Sequence, residues 1–399
     1  MGSLLFQDDA VFWFQTQRVF GSIFYGGADF NETVTTAERI VVSDYDSWKR
    51  EWAATAERVE QEARAELANG HPVSARDGLM RAATYWRSAE FFTRDRKPDP
   101  DGESLYGRHV QCFRGATALM DASIEPVEIP FEGTTLNGYL YIPAAAGPRP
   151  LLIIHTGYDG TAEEMYLVGA RGAQERGYAV LAFDGPGQPG PRYRDGLVFR
   201  PEWETVVGPV IDWAEQQPGI DPSRIALTGN SMGGQLAPRA AAYEPRIRAL
   251  LCIDGVYDFG GTLARGILGP DAALRLQTES DEQLDEEIER LMAKNTTARW
   301  GMRNGMWSFG SDTPTAFLRS VVEYNLRDGI AEQIACPVFV GRGESDEFLR
   351  GQPEELMEHL NAPATLVNFT DAEGAGSHCQ GGAKSLLVAR SLDWLDDTL

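Results

Sequence analysis

Apolar positions along the chain change their period once. From Asp44 to about Met120 they return at three- and four-residue steps, and Trp48, Trp52, Ala56, Val59 and Ala63 form one stripe. That spacing predicts a helix with a single buried face. His71-Pro72 breaks the run, Ser74 stands where it could cap the next helix, and Met80, Tyr85, Ala89 and Phe92 supply a second buried face. Lys97 to Gly102 reads as a loop. From Ile124 the period is two: Val127, Ile129 and Phe131 alternate, and Thr135 to Ile142 alternate again after Glu132-Gly133, which predicts a hairpin. Short unbroken apolar runs follow at Leu151–Ile154, Ala179–Phe183, Ile225–Thr228, Leu250–Ile253, Val338–Val340 and Thr365–Phe369, separated by helical segments. Such runs indicate parallel strands buried on both faces, so the expectation is an α/β sheet with an antiparallel start.

One spacing is out of proportion. More than eighty residues separate the runs ending near Ile253 and beginning at Val338, far beyond a crossover helix. Helical segments are expected around Asp281–Ala293 and Thr313–Leu326, joined by Trp300, Met302, Met306, Trp307 and Phe309. These aromatics either form the core of an inserted module or belong to a lid over a site at that end of the sheet. The expected division is a helical N-terminal accessory domain over 1–122, serving as cap and dimer contact, and a catalytic domain over 123–399 with a lid at about 258–332.

The chemistry concentrates at Gly229-Asn230-Ser231-Met232-Gly233, a G-x-S-x-G match. About 0.2 such matches would arise by chance in this composition, so its context matters: it follows an apolar strand and precedes an Ala-rich helix, as a nucleophile elbow requires. Serine needs a base, and the chain has five histidines. His71 and His109 fall in the helical half, His155 ends a strand, and His359 lies within a helical stretch. His378 alone sits in a glycine-rich loop after the last strand, where the order Ser…Asp…His puts the base of an α/β-hydrolase fold. The acid is expected after Val338–Val340, where Asp346 is the best-placed carboxylate and Glu344 and Glu347 are its rivals. Backbone N–H groups of Met232 and of Tyr158, or of its neighbour Gly157, are the candidate oxyanion hole.

Composition narrows the partners. A net charge of −23, from 36 basic and 59 acidic residues, keeps the chain in solution and excludes nucleic acid and anionic membranes as partners. The acidic run Asp281–Glu289 reads as a solvated helix face. Cys112, Cys252, Cys336 and Cys379 show no metal-ligand spacing and read as reduced thiols, so neither a metal nor a cofactor is expected. The apolar Met1–Phe24 stretch is interrupted by Asp8 and Asp9 and has no basic leader, and Gly2 lacks the Ser or Thr at position 6 of a myristoylation signal. A cytoplasmic address is therefore expected.

Thr156-Gly157-Tyr158-Asp159-Gly160 with Glu163-Glu164, Phe183-Asp184-Gly185-Pro186-Gly187, the serine motif, and Gly374-Ala375-Gly376-Ser377-His378-Cys379-Gln380 together resemble a particular branch of α/β-hydrolases. This is the FrsA-like branch, with 2,6-dihydroxypseudooxynicotine hydrolase and the fungal yellowish-green heptaketide hydrolases; Ala89-Glu90-Phe91-Phe92 extends the likeness into the N-terminal half. The resemblance implies hydrolysis of a carbon–carbon bond beside a ketone in a polyketide-like or aromatic small molecule, by a homodimer. Asp159, Trp300, Trp307 and Phe309 are then the candidate substrate contacts. The alternatives are an esterase, thioesterase or acyltransferase with the same three side chains, or a ligand-binding protein on this scaffold. One departure is Thr156-Gly157, where the family often has two glycines.

Overall fold

The computed structural model describes residues 4–97, 99–144 and 147–399; Gly2, and Pro98 within the expected Lys97–Gly102 loop, lie outside them. The hairpin forms as the alternation predicts: β1 (Ser123–Phe131) and β2 (Thr134–Ile142) pair antiparallel, turning through Glu132 and Gly133, both at positive φ. The apolar runs become β3 (Arg149–His155), β4 (Ala179–Phe183), β5 (Ile220–Asn230), β6 (Ile247–Ile253), β7 (Val338–Gly343) and β8 (Ala364–Phe369). The sheet order is β1-β2-β4-β3-β5-β6-β7-β8; β2 meets β4 antiparallel, and every later pairing is parallel. This is the α/β-hydrolase fold.

Among the described residues five α-helices precede the sheet: α1 (Ala10–Ser22), α2 (Phe30–Ala37), α3 (Tyr45–Ala68), α4 (Pro72–Glu90) and α5 (Gly102–Thr117). In α3 the Asp44 side chain caps the Asp46 and Ser47 N–H groups, and all five residues of the predicted stripe are buried. In α4 the start differs from expectation. Pro72 occupies the first turn, where its missing N–H costs nothing, so Ser74 lies inside the helix and caps nothing. These helices have no core apart from the sheet. Trp48, Trp52, Tyr85 and Phe113 belong to one apolar cluster with Leu152, Ile154, Val180 and Phe339 from one face of the strands.

The crossovers are α6 (Arg171–Glu175), α7 (Pro189–Asp195), α8 (Glu204–Ala214) and α9 (Gly233–Tyr243), the last two covering the opposite face. Between β6 and β7 come α10 (Phe259–Leu268), α11 (Ala272–Thr278), α12 (Asp281–Lys294), α13 (Thr296–Phe309) and α14 (Pro314–Val321); α15 (Gln352–His359) and α16 (Lys384–Thr398) complete the chain. The stretch expected to join two insertion helices is itself a helix, α13, opened by the Asn295 side chain on Ala298 N–H and closed by Gly310 in the left-handed region. The acidic run of α12 does face outward, with only Leu284, Ile288 and Met292 buried. Among the described residues no helix is long and apolar enough to cross a membrane.

Candidate active site

β5 ends in the serine motif, and the backbone there is forced into a conformation few side chains adopt: Ser231 has φ 59°. Its N–H donates to Ile253 O and its carbonyl accepts from Gly234 N–H at 2.7 Å, which ties the turn to β6 and to the start of α9. Glycine is required around it for space. A Cβ on Gly229 would meet the Gly233 carbonyl oxygen at 1.9 Å, and one on Gly157 would sit 2.6 Å from the Met232 nitrogen. The loop after β3 therefore presses directly on the elbow.

Three of the sequence-expected side chains come together at this rim. The Ser231 Oγ lies 2.9 Å from His378 Nε2, and His378 Nδ1 lies 2.8 Å from Asp346 Oδ2. The other Asp346 oxygen accepts the N–H groups of Phe348 and Leu349 at 2.7 and 2.8 Å, fixing the carboxylate from behind. Burial alone would raise Asp346, but the facing His378 outweighs it and holds the carboxyl well below its usual range. Burial likewise opposes charge on His378, yet Asp346 and its other acidic neighbours raise the imidazole well above 6.5. The rival acids do other work: Glu347 accepts the His378 backbone N–H at 3.1 Å, and Glu344 accepts that of Asp371.

The remaining histidines are engaged elsewhere. Burial drives His155 down to about 4, and its ring lies between Thr156 O and the Trp203 indole. His109 bonds Ala83 O and Thr161, His71 faces Glu66, and His359 faces Glu332.

Neither Met232 N–H nor Tyr158 N–H has an acceptor among the described residues. Four of the loop's carbonyls are held by side chains. Gln188 donates to Thr156 O and Gly157 O, Asn304 of α13 donates to Tyr158 O at 2.9 Å, and Arg87 and Arg94 both donate to Asp159 O, at 2.6 and 2.7 Å.

A second buried acid stands behind the imidazole. Asp254, directly after β6, is fully buried, 3.5 Å from His378 Nδ1, and accepts Cys379 N–H and Gln380 Nε2 at 2.9 and 3.0 Å. Burial raises its pKa, and the neighbouring Asp346 charge adds to that. It holds Cys379 and Gln380, both at positive φ, in the turn that presents His378. Sequence reasoning considered acids only after β7 and passed over this one, although a lone Asp at a strand's C-terminal end is a legible signal. Asp254, His378 and Cys379 also bring ligating atoms within 4.8 Å of one another. Asp254 and His378 spend theirs on the hydrogen bonds just given, and the Cys379 thiol donates to Ile253 O at 3.2 Å, so all three serve to position the His378 turn.

The serine opens onto a cavity of about 380 Å³ whose walls include Phe14, Phe91, Tyr158, Phe259, Trp300 and Phe348. Helix α1 forms one wall: Phe14 lies 5.8 Å from the His378 ring and 5.2 Å from Phe348. Arg18 bridges Asp159 and Glu164 at 2.9 and 2.8 Å. Of the expected substrate contacts, Asp159 and Trp300 line the cavity, whereas Trp307 and Phe309 do not. Trp307 packs on Tyr193 beneath Arg94 and Arg192, and Phe309 is enclosed by Phe199, Phe317 and Tyr324. On helix α13 Phe309 stands on the side opposite Trp300, whereas Trp307 shares the Trp300 side but lies about two turns farther along, beyond the cavity lining. The contribution of α1 had no motif to announce it.

Residues 151–381 match the alpha/beta hydrolase family, and residues 31–259 match the family described as esterase FrsA-like. The chain is 34% identical to the hydrolase LUC6 of Fusarium sp and 34% identical to the 20-hydroxy-prefusarin hydrolase FUS2 of Gibberella moniliformis, in each case over 97% of this chain and 96% of the relative. The crystal structure of the 2,6-dihydroxy-pseudo-oxynicotine hydrolase superposes with a TM-score of 0.74 at 25% identity, covering 95% of both chains. With these similarities running through both the helical half and the sheet, the chain belongs to the FrsA-like family of α/β-hydrolases and is a hydrolase.

Proposed function

We propose that Ser231, His378 and Asp346 act as a catalytic triad that hydrolyses a carbon–carbon bond beside a ketone in a polyketide-like or aromatic substrate. The observation that carries this reading is the unbroken hydrogen-bonded line from Ser231 Oγ through His378 to Asp346, opening into an aromatic-walled cavity. Ser231 Oγ bonds to the ketone carbon as its proton passes to His378 Nε2, and the oxyanion takes the N–H groups of Met232 and Tyr158. Collapse breaks the carbon–carbon bond, the electron pair leaves on a carbon whose charge is delocalised, and His378 returns the proton to that carbon. Water, deprotonated by His378, then adds to the acyl-serine, and its collapse frees a carboxylic acid and Ser231.

Support for this bond type is the family resemblance, together with hydrolase relatives such as the 20-hydroxy-prefusarin hydrolase. The family description as an esterase favours a second reading, in which the same acyl-serine forms from an ester or thioester. A β-diketone series run beside p-nitrophenyl esters tests the choice: fast ester turnover with no diketone cleavage removes the first reading. A cytoplasmic homodimer accompanies the proposal. The cysteines are free thiols, and Phe24 and Phe30 beside α1 are 51% and 60% exposed; light scattering on the purified protein checks the dimer.

A further inference from the structure

Most charged side chains around the cavity are in ion pairs, and Lys384 is among those that are not. Lys384 opens α16, where the helix dipole opposes a positive charge, and it is 8% exposed. Its Nζ donates to Cys379 O at 2.9 Å and makes no ion pair among the described residues. An ammonium has three N–H bonds, so two of them have no protein acceptor. Asp254 and Glu164 favour its charge at longer range and Arg18 opposes it, and burial pulls its pKa down to about 8. Burying a cation at a helix start without a counter-ion is costly, and a single hydrogen bond to the neutral Cys379 carbonyl does not offset that cost.

Two neutral donors in the same cavity are also unspent. The Gln15 oxygen accepts from Arg18 Nη1 at 3.2 Å. Because a guanidinium only donates, this fixes the amide orientation and leaves Gln15 Nε2 with no acceptor, on a side chain that is 5% exposed. Trp300 Nε1 is likewise buried and unpartnered, although its ring is packed against Phe91 and Phe348. Arg18, which could have served an anion, is already committed to Asp159 and Glu164. An unpartnered acceptor at Asn230 lines the same space, and Glu163 there faces His109 at 3.5 Å.

We infer that Lys384, with Gln15 and Trp300, forms a donor subsite for an anionic oxygen on an otherwise apolar, hydroxyl-bearing substrate. The inference rests on the reading of Ser231 as nucleophile, because it names what that cavity holds. The ammonium supplies the counter-charge the buried oxygen needs, and the amide and indole N–H groups complete its hydrogen bonds. For a 1,3-dicarbonyl or acylphenol this is the second oxygen, onto which the electron pair flows when the carbon–carbon bond breaks. A donor set placed there binds the transition state better than the ground state. An aryl carboxylate would present the same chemistry from a different source.

The test uses the full-length Ser231→Ala protein, which binds without turning over. Benzoylacetone is titrated at neutral pH and followed by absorbance, since its enolate absorbs to the red of the neutral enol; 4-phenylbutanoate is titrated in parallel by calorimetry. The expected result is a red-shifted bound band for the dicarbonyl. Adding Lys384→Met should weaken binding by roughly tenfold to a hundredfold and abolish the band, while Lys384→Arg retains it. Gln15→Leu and Trp300→Phe should each weaken binding by less. Carboxylate binding that depends on Lys384, with no dicarbonyl band, supports the subsite and assigns it to a carboxylate. Affinities for both probes that Lys384→Met leaves unchanged overturn it. Lys384→Gln repeats the comparison should the Met side chain disturb the His378 turn. Fluorophosphonate labelling of Ser231 in the otherwise unaltered protein separates the two claims. Absent labelling sinks the proposed function, whereas intact labelling with Lys384-independent probe binding sinks only the subsite.

Discussion

The two sides of the cavity are built on different principles. The sheet rim carries Ser231, His378 and Asp346 on three loops at the ends of neighbouring parallel strands, and each contact is a short directed hydrogen bond. The opposing wall, from α1, α4 and α13, carries aromatic rings and a buried ion network in which Arg87 and Arg94 share Glu90 and both reach Asp159 O. The rim can perform chemistry on any carbonyl delivered to it. The wall decides which molecule arrives, and it also holds the oxyanion loop in place. Damage to the rim should therefore appear as lost turnover in a folded protein. Damage to the wall should appear as lost stability or weakened substrate binding.

The largest effect is expected from Ser231→Ala. Removing the only atom that can form the acyl bond should lower kcat by about 10³-fold or more, with the melting temperature nearly unchanged. Steady-state kinetics beside thermal denaturation check this, and a residual rate within tenfold of the parent would mean that the nucleophile lies elsewhere. Next comes Asp346→Asn. The neutral amide cannot hold the imidazole in the tautomer that accepts the serine proton, and a loss of about 10²- to 10⁴-fold is expected. The pH profile gives this substitution a sign. In the parent protein His378 stays protonated above its ordinary 6.5, because Asp346 and its other acidic neighbours outweigh burial. The free base therefore appears only at higher pH, and the acidic limb of kcat/KM should lie above 6.5. Without the Asp346 charge, the largest influence opposing burial is lost while Asp254 remains, and that limb should move to lower pH.

This contrast also explains what could be read from the chain alone. The rim was legible because the fold fixes the order Ser…Asp…His and the strand-to-loop positions, so a motif and a count of histidines were enough. Strand positions were legible for the same reason: buried parallel strands leave unbroken apolar runs. The wall was not. Phe14 and Arg18, one turn apart on α1, are far in sequence from Lys384 and meet its loop only because Gly21 lets α1 approach the Gly381 backbone, where a Cβ would lie 2.0 Å from its carbonyl oxygen. No local pattern reports such a contact. Phe309 lies outside the cavity because it is on the side of α13 opposite Trp300, and Trp307 because it is about two turns farther along the same side; an aromatic run reports neither until the helix itself is recognised.

A substitution in the wall should sharpen the comparison at intermediate size. Arg94→Met leaves Glu90, fully buried, with one guanidinium instead of two and frees one of the two donors on Asp159 O. Breaking a buried ion pair costs about 3–5 kcal/mol, so a large fall in melting temperature is expected, with a moderate kcat loss from the loosened oxyanion loop. Denaturant titration and kinetics on the surviving folded fraction separate the two effects. A variant with parent stability would show that Arg87 alone satisfies Glu90.

The smallest effect is expected at Phe309, and it tests where the wall ends. Its ring contacts Phe199, Phe317 and Tyr324 with centroids 5.0–5.1 Å apart, and none of its surface faces the cavity. Phe309→Leu should cost about 1 kcal/mol of stability through lost packing, because leucine keeps most of the apolar volume. KM and kcat should both stay within twofold of the parent. Trp300 is nine residues earlier on the same helix and does face the cavity, so Trp300→Leu should raise KM severalfold. The pair is informative because both are aromatic side chains of one helix and differ mainly in direction. If Phe309→Leu raised KM as much as Trp300→Leu did, the boundary between core and cavity along α13 would be misplaced, and the wall would extend deeper into the insertion than its contacts indicate.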